Sequence, residues 1–124
     1  MRTQEASGAR ERIAAGAGAI HYGLARCSLG WLLVAATVRG ICQLGVAEDE
    51  RELEEALHQE FPFAVFRQDA SAVRPWTDRL VRYADGQLGR PELRLDVPSS
   101  RLQRRVYGAI EAIERRRAST SLDA

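Results

Sequence analysis

Four side chains of this chain have the types from which nucleophilic and metal sites are built: Cys27, Cys42, His21 and His58. A thiol attacks as its thiolate, so a nucleophilic cysteine needs an activating base or charge beside it. Cys42 has apolar neighbours and no histidine close in sequence, which predicts a small core residue. Cys27 borders a turn and is the better candidate for an exposed thiol. We assign no catalytic residue.

Metal chemistry is not indicated by the same four residues. Their positions do not form a spacing typical of zinc sites, and each histidine is expected to lie on a strand or at the surface. The acidic run 48–55 has the pattern of a solvated helix face with acids at its N-terminus. The sequence therefore predicts no metal and no cofactor.

Arginines provide the other chemical feature of the chain. They account for all 18 cationic residues against 17 acidic ones, and a net charge of +1 does not indicate a strong nucleic-acid binder. Six arginines crowd the C-terminal end: Arg101, Arg104, Arg105, Arg115, Arg116 and Arg117. A DNA-backbone contact is predicted for Arg101, Gln103, Arg104 and Arg105. Such binding would be weak and non-specific, and a solvated helix face is the alternative.

Length and composition limit the class of protein. A chain of 124 residues makes one modest domain with a small core. Two cysteines are too few for a disulfide scaffold and favour a reducing cytoplasm. No apolar run approaches the ~18 residues that a membrane span needs, and charged residues precede any apolar stretch, unlike in a signal peptide.

Hydrophobic periodicity predicts three strands in the first half of the chain. Apolar and other residues alternate from Ile20 to Leu24, with the period of a strand. Residues 31–37 are apolar enough for a strand buried on both faces, and 41–46 make a third. Short turns at 28–30 and 39–40 would join these strands into an antiparallel meander. Residues 1–19 are polar or small and predict a flexible arm or linker.

Helical periodicity follows the meander. A first helix ends near Glu60 before Pro62, and Phe63–Phe66 is expected to form a short edge strand. A second helix is capped by Asp69 or Ser71, and a third by Ser99 or Ser100. Residues 93–97 alternate as a short extended piece. The apolar stripe of the third helix consists of Leu102, Val106, Ala109, Ile110 and Ile113.

These elements predict an α+β fold, in which a three-stranded antiparallel meander is packed by helices and followed by one C-terminal helix. The expected structural core includes Leu33, Cys42, Leu57, Trp76 and Val106. After Ile113 the pattern changes to arginines and small polar residues, so 115–124 is expected to be a disordered tail. An early stop or frameshift in a longer gene would explain that abrupt change.

Several motifs, in order, resemble a DNA-repair family. They are the Ser28-Leu29-Gly30 turn with its apolar run, Arg39-Gly40-Ile41, Phe61-Pro62, and Leu102-Gln-Arg-Arg-Val-Tyr107 after Pro98. The last is similar to a Phe-Gln-x-x-Val-Trp helix. Together they resemble the Ada and O6-alkylguanine-DNA methyltransferase family over roughly residues 20–113.

The resemblance implies a domain map and a role. Residues 20–97 would be the ribonuclease H-like N-terminal subdomain, and 98–114 the first helix of the catalytic subdomain. The family role is direct repair of alkylated guanine, by a cysteine in a Pro-Cys-His-Arg motif that this sequence does not contain. We therefore expect a truncated relative that transfers no methyl group. Its partners would be DNA, a missing catalytic half, or a second copy bound through the last helix, and no membrane.

A standalone, non-catalytic interaction or regulatory module is the alternative function. The two interpretations differ in what they expect of the last helix. Its apolar stripe either folds back on the sheet or stays exposed, and an exposed stripe would make the protein sticky or dimeric. A metal-dependent nuclease on this type of sheet is disfavoured, because the predicted strands contain no acidic residue.

Overall fold

The computed structural model describes residues 19–97 and 100–123, with side chains as far as residue 119. The fold is α+β, with four strands and three helices in this part of the chain. The elements are β1 (Ile20–Cys27), β2 (Gly30–Thr37), β3 (Gly40–Ala47), α1 (Glu50–Glu60), β4 (Phe66–Gln68), α2 (Ala70–Ala84) and α3 (Ser100–Asp123). The predicted arm, apart from Ala19, and the predicted cap Ser99 lie outside the described residues.

The first three strands form the predicted antiparallel meander. Cys27 pairs with Gly30 across the first turn, and Thr37 pairs with Gly40 across the second. Gly40 has a φ of +142°, a conformation that a side chain would disfavour. The register between β2 and β3 shifts at Ala35/Ala36, where the ladder is irregular. Two-residue connections thus hold the meander together.

A fourth strand extends the sheet, in the order β3-β2-β1-β4. The prediction of an edge strand at Phe63–Phe66 is wrong in position, because β4 starts at Phe66 and Phe63 is 85% exposed. β4 runs parallel to β1, and the Asp69 amide donates to the Tyr22 carbonyl at 2.8 Å. This contact places the start of α2 beside the sheet.

Local capping determines where the first two helices begin. The Asp49 carboxylate accepts from the Arg51 amide at 2.9 Å, and Asp69, one of the two predicted caps of α2, accepts from the Ala72 amide at 3.4 Å. α1 ends at Glu60, two residues before Pro62, as predicted.

The core lies on both faces of the sheet. Alternate residues of β2 point to opposite sides, so Leu33 packs with α1 residues such as Leu57, whereas Val34 packs with Val73 of α2 and Val106 of α3. Of the predicted core residues, Leu33, Cys42, Leu57 and Val106 are buried, and Trp76 is partly buried.

Helix α3 differs most from the prediction. Instead of ending near residue 114 before a disordered tail, the helix continues to Asp123. Its stripe folds back on the core, with side chains at most 3% exposed at Leu102, Val106, Ile110 and Ile113. An exposed adhesive stripe is therefore not observed. No helix in the described part of the chain is long and apolar enough to cross a membrane.

Candidate functional site

The Cys42 thiol is part of the packed core. It lies in β3, is 1% exposed and belongs to the cluster formed with α1. Burial, reinforced by the negative charge of Asp96, raises the pKa of Cys42 to about 12. The group is therefore a neutral thiol at physiological pH.

The Cys27 thiol is more accessible, because it ends β1 beside the first turn and is half-buried. It borders a surface cavity of about 540 Å³ that Arg26, Glu48 and Arg116 also line. Burial raises the pKa of Cys27, although hydrogen bonds from the Leu29 and Gly30 amides act in the opposite direction. No histidine lines this cavity.

Neither histidine is hydrogen-bonded to a cysteine among the described residues. His21 Nδ1 lies 3.8 Å from Asp69 Oδ2, too long for a hydrogen bond, and that buried nitrogen has no hydrogen-bond partner among the described residues. His58 packs edge-on against the Phe66 ring, with centroids 4.4 Å apart. Among the described residues no three His, Cys, Asp or Glu side chains are grouped to hold a metal ion.

Two of the four residues predicted to contact DNA form ion pairs with another side chain of the protein. Arg101 forms a bidentate ion pair with Glu60, and Arg105 Nε lies 3.4 Å from the same carboxylate. Glu60 itself is buried. Gln103 and Arg104 are exposed on α3 and have no ion pair or hydrogen bond among the described residues.

The arginines near the end of α3 are also partly engaged. The Arg117 guanidinium lies 5.2 Å from the centre of the Tyr83 ring. Glu114, one turn earlier, accepts hydrogen bonds from Tyr83 and from Arg90, whose Nη2 is 2.6 Å away. Arg116 lines the Cys27 cavity, and Arg115 is exposed.

A third arrangement was missed by the sequence reasoning. A groove of about 590 Å³ lies between α2, the segment 90–95 and α3. Its lining combines Trp76 and Tyr107 with three arginines, Arg79, Arg90 and Arg94. The available signal was the spacing of Trp76 and Arg79, three residues apart on one helix face. Its partners come from other elements, which sequence periodicity does not bring together.

Comparison with known proteins gives one informative similarity. No model of a known protein family matches the sequence. The chain is 32% identical over 99 residues to the bifunctional transcriptional activator/DNA repair enzyme Ada of Escherichia coli strain K12. This similarity covers 77% of the present chain but only 27% of Ada. The chain is thus distantly related to a DNA repair protein and spans about a quarter of its length.

Proposed function

We propose that this chain is a relative of the Ada-type methylated-DNA–protein-cysteine methyltransferases that takes part in DNA repair without itself accepting an alkyl group. The relation to Ada supports the repair context. The proposal that the chain accepts no alkyl group rests on the surroundings of its two cysteines. Both cysteines are free thiols, which suits a cytoplasmic location.

Alkyl transfer to a cysteine forms a sulfur–carbon bond and requires a thiolate at the moment of attack. The pKa of Cys42 is raised by burial to about 12, and no substrate carbon can approach a side chain that is 1% exposed. The pKa of Cys27 is also raised, and among the described residues no histidine or carboxylate is hydrogen-bonded to its sulfur as an activating base. Neither thiol has the environment of an alkyl acceptor.

We further propose that residues 20–97 correspond to the ribonuclease H-like N-terminal subdomain of the family, and α3 to the first helix of its catalytic subdomain. Two motif positions support this correspondence. Arg39-Gly40-Ile41 spans the turn between β2 and β3, and Phe61-Pro62 follows the end of α1. Within α3, Gln103 and Arg104 remain the residues best placed to contact a DNA backbone weakly, because Glu60 holds Arg101 and Arg105.

The test is direct. The protein is incubated with duplex DNA that contains O6-methylguanine, and its intact mass is measured, with E. coli Ada as the positive control for the substrate. We expect the mass of this chain to stay unchanged while Ada gains one methyl group. A gain of one methyl group, located on Cys27 or Cys42 by peptide mapping, would show that the proposal is wrong.

A standalone interaction or regulatory module is the second candidate, and the burial of the α3 stripe favours it. The apolar stripe of α3 packs against the rest of the core, so it needs no further protein surface to cover it. The stripe consists of Leu102, Val106, Ile110 and Ile113. We expect sedimentation of a monomer and a single cooperative urea transition. Aggregation, or melting of α3 before the sheet, would instead indicate a fragment that needs a partner.

A further inference from the structure

The groove between α2 and α3 contains two aromatic side chains that the core does not fully use. Tyr107 is 44% exposed, and its hydroxyl has no hydrogen-bond partner among the described residues. Trp76 packs partly against the core and lines the groove with its remaining surface. Ile110, which is 3% exposed, forms part of the apolar lining beside them. Aromatic faces open to a groove can stack on a flat partner.

The charge around these rings is mainly positive. Arg79 and Arg94 are exposed and have no ion pair within the described ranges. Arg90 is held by Glu114 at 2.6 Å, and Glu92 contributes the one carboxylate among the lining residues. Two arginines without an ion pair thus line the groove together with two aromatic side chains. This contrasts with the first turns of α3, where Arg101 and Arg105 share the buried carboxylate of Glu60.

We propose that this groove binds single-stranded nucleic acid, with bases stacked on both Tyr107 and Trp76 and the flanking phosphates paired to Arg79 and Arg94. Non-specific strand binding combines these two components, a positive surface that follows the backbone and aromatic rings that accept any base. The proposed strand binding depends on the groove alone and not on the proposed repair role.

The same chemistry of a base with an attached phosphate occurs in a free nucleotide, and the experiment separates the two sources. A fluorescent oligothymidylate of about twelve nucleotides is titrated with the protein at about 50 and 200 mM salt, and anisotropy is recorded. We expect saturable binding that weakens with salt, and at least about 100-fold weaker competition by thymidine monophosphate, which offers one phosphate and one base. Equal competition by the mononucleotide would overturn strand binding, as would no binding at the lower salt.

Variants identify the surface. We expect Tyr107→Ala to weaken binding about 5- to 100-fold, since it removes one stacking ring. Arg79→Ala and Arg94→Ala should each weaken binding and lower the slope of log affinity against log salt by about 0.7. The matched control is Arg74→Ala, an exposed arginine on α2 that does not line the groove. A loss in Arg74→Ala equal to that in Arg79→Ala would mean that net charge, and not the groove, binds the strand.

Intrinsic fluorescence gives an independent readout. The chain has two tryptophans, so Trp31→Phe leaves the Trp76 indole as the single reporter. We expect its emission to be quenched on saturation with the oligonucleotide, and unchanged emission at saturation would contradict stacking in this groove. Far-UV circular dichroism of every variant verifies that the fold is kept. None of these binding experiments depends on methyl transfer, so the groove proposal and the proposed function can fail independently.

Discussion

Arg101, in the first turn of α3, reaches the buried carboxylate of Glu60 at the last residue of α1. The two nitrogen–oxygen pairs lie at 2.7 and 3.2 Å, which is the forked geometry of a bidentate pair. The Glu60 side chain is 5% exposed and that of Arg101 is 49% exposed, so the carboxylate is the desolvated partner. The pair connects α1 with α3 through two residues that are 41 positions apart in sequence.

This relationship predicts that Arg101→Ala lowers the free energy of unfolding by about 1–2 kcal/mol, because a buried carboxylate loses its bidentate donor. Arg105 Nε remains 3.4 Å from the Glu60 carboxylate and limits the loss of stability. Urea denaturation measures the change in the free energy of unfolding. The matched control is Arg104→Ala, an exposed neighbour that should change stability by less than about 0.5 kcal/mol. Equal effects of the two substitutions would contradict a structural role for the pair.

Gly40 and Gly108 predict opposite effects of the same substitution. A Cβ at Gly40 would lie 2.5 Å from the Arg94 carbonyl oxygen, and the φ of +142° disfavours any side chain, so Gly40→Ala should cost more than about 2 kcal/mol. At Gly108, within α3, a Cβ meets nothing within 4 Å, so Gly108→Ala should stabilise by about 0.5–1 kcal/mol. Thermal unfolding of both variants checks the signs. A stabilising Gly40→Ala would contradict the close approach of segment 90–95 to the second turn.

Local signals explain what could be predicted from the sequence. The period-two pattern, the turns at 28–30 and 39–40, and the cap Asp69 involve neighbours in sequence, and each element they predict is present. β4 was misplaced by three residues because its start depends on parallel pairing with β1, a long-range contact. Exposed apolar residues such as Phe63 resembled a strand where none forms.

The length of α3 and the groove depend on contacts that periodicity does not show. Past Ile113 the helix has few apolar residues, yet Glu114 binds Tyr83 and Arg90, and Arg117 lies over the Tyr83 ring. A long arginine stem can cover apolar surface, so the absence of an apolar stripe did not mean the absence of a packed helix. The burial of the Glu60 carboxylate was not predicted either, because its partners lie on another helix.

Glu114 predicts a dependence of stability on acid pH. Hydrogen bonds, first from Tyr83 and then from Arg90, lower its pKa below the usual 4.5. The stabilisation is complete above pH 4.5 and is lost as the pH falls through the lowered value, since protonation removes the charged acceptor. Melting temperatures between about pH 6 and pH 3 should therefore fall less in Glu114→Gln than in the wild type. Glu111→Gln, an exposed acid on the same helix, should keep the wild-type dependence, and an identical slope in all three proteins would contradict the assignment.

Cys42 predicts a loss of stability at alkaline pH. Its pKa rises from 9.0 to about 12 on folding, so between these values the folded chain keeps a proton that the unfolded chain releases. Stability is then complete below pH 9 and falls as the pH rises towards 12, by at most about 1.4 kcal/mol per pH unit. Tyr22 and Tyr83, whose pKa values burial also raises, add to the fall above pH 10.

Cys42→Ala removes the thiol contribution, so its unfolding free energy should decrease less steeply from pH 8 to pH 10 than that of the wild type. The matched Cys27→Ala variant replaces the half-buried thiol and should flatten the curve less. Equal slopes for Cys42→Ala and the wild type would show that the Cys42 thiol titrates alike in the folded and unfolded chains.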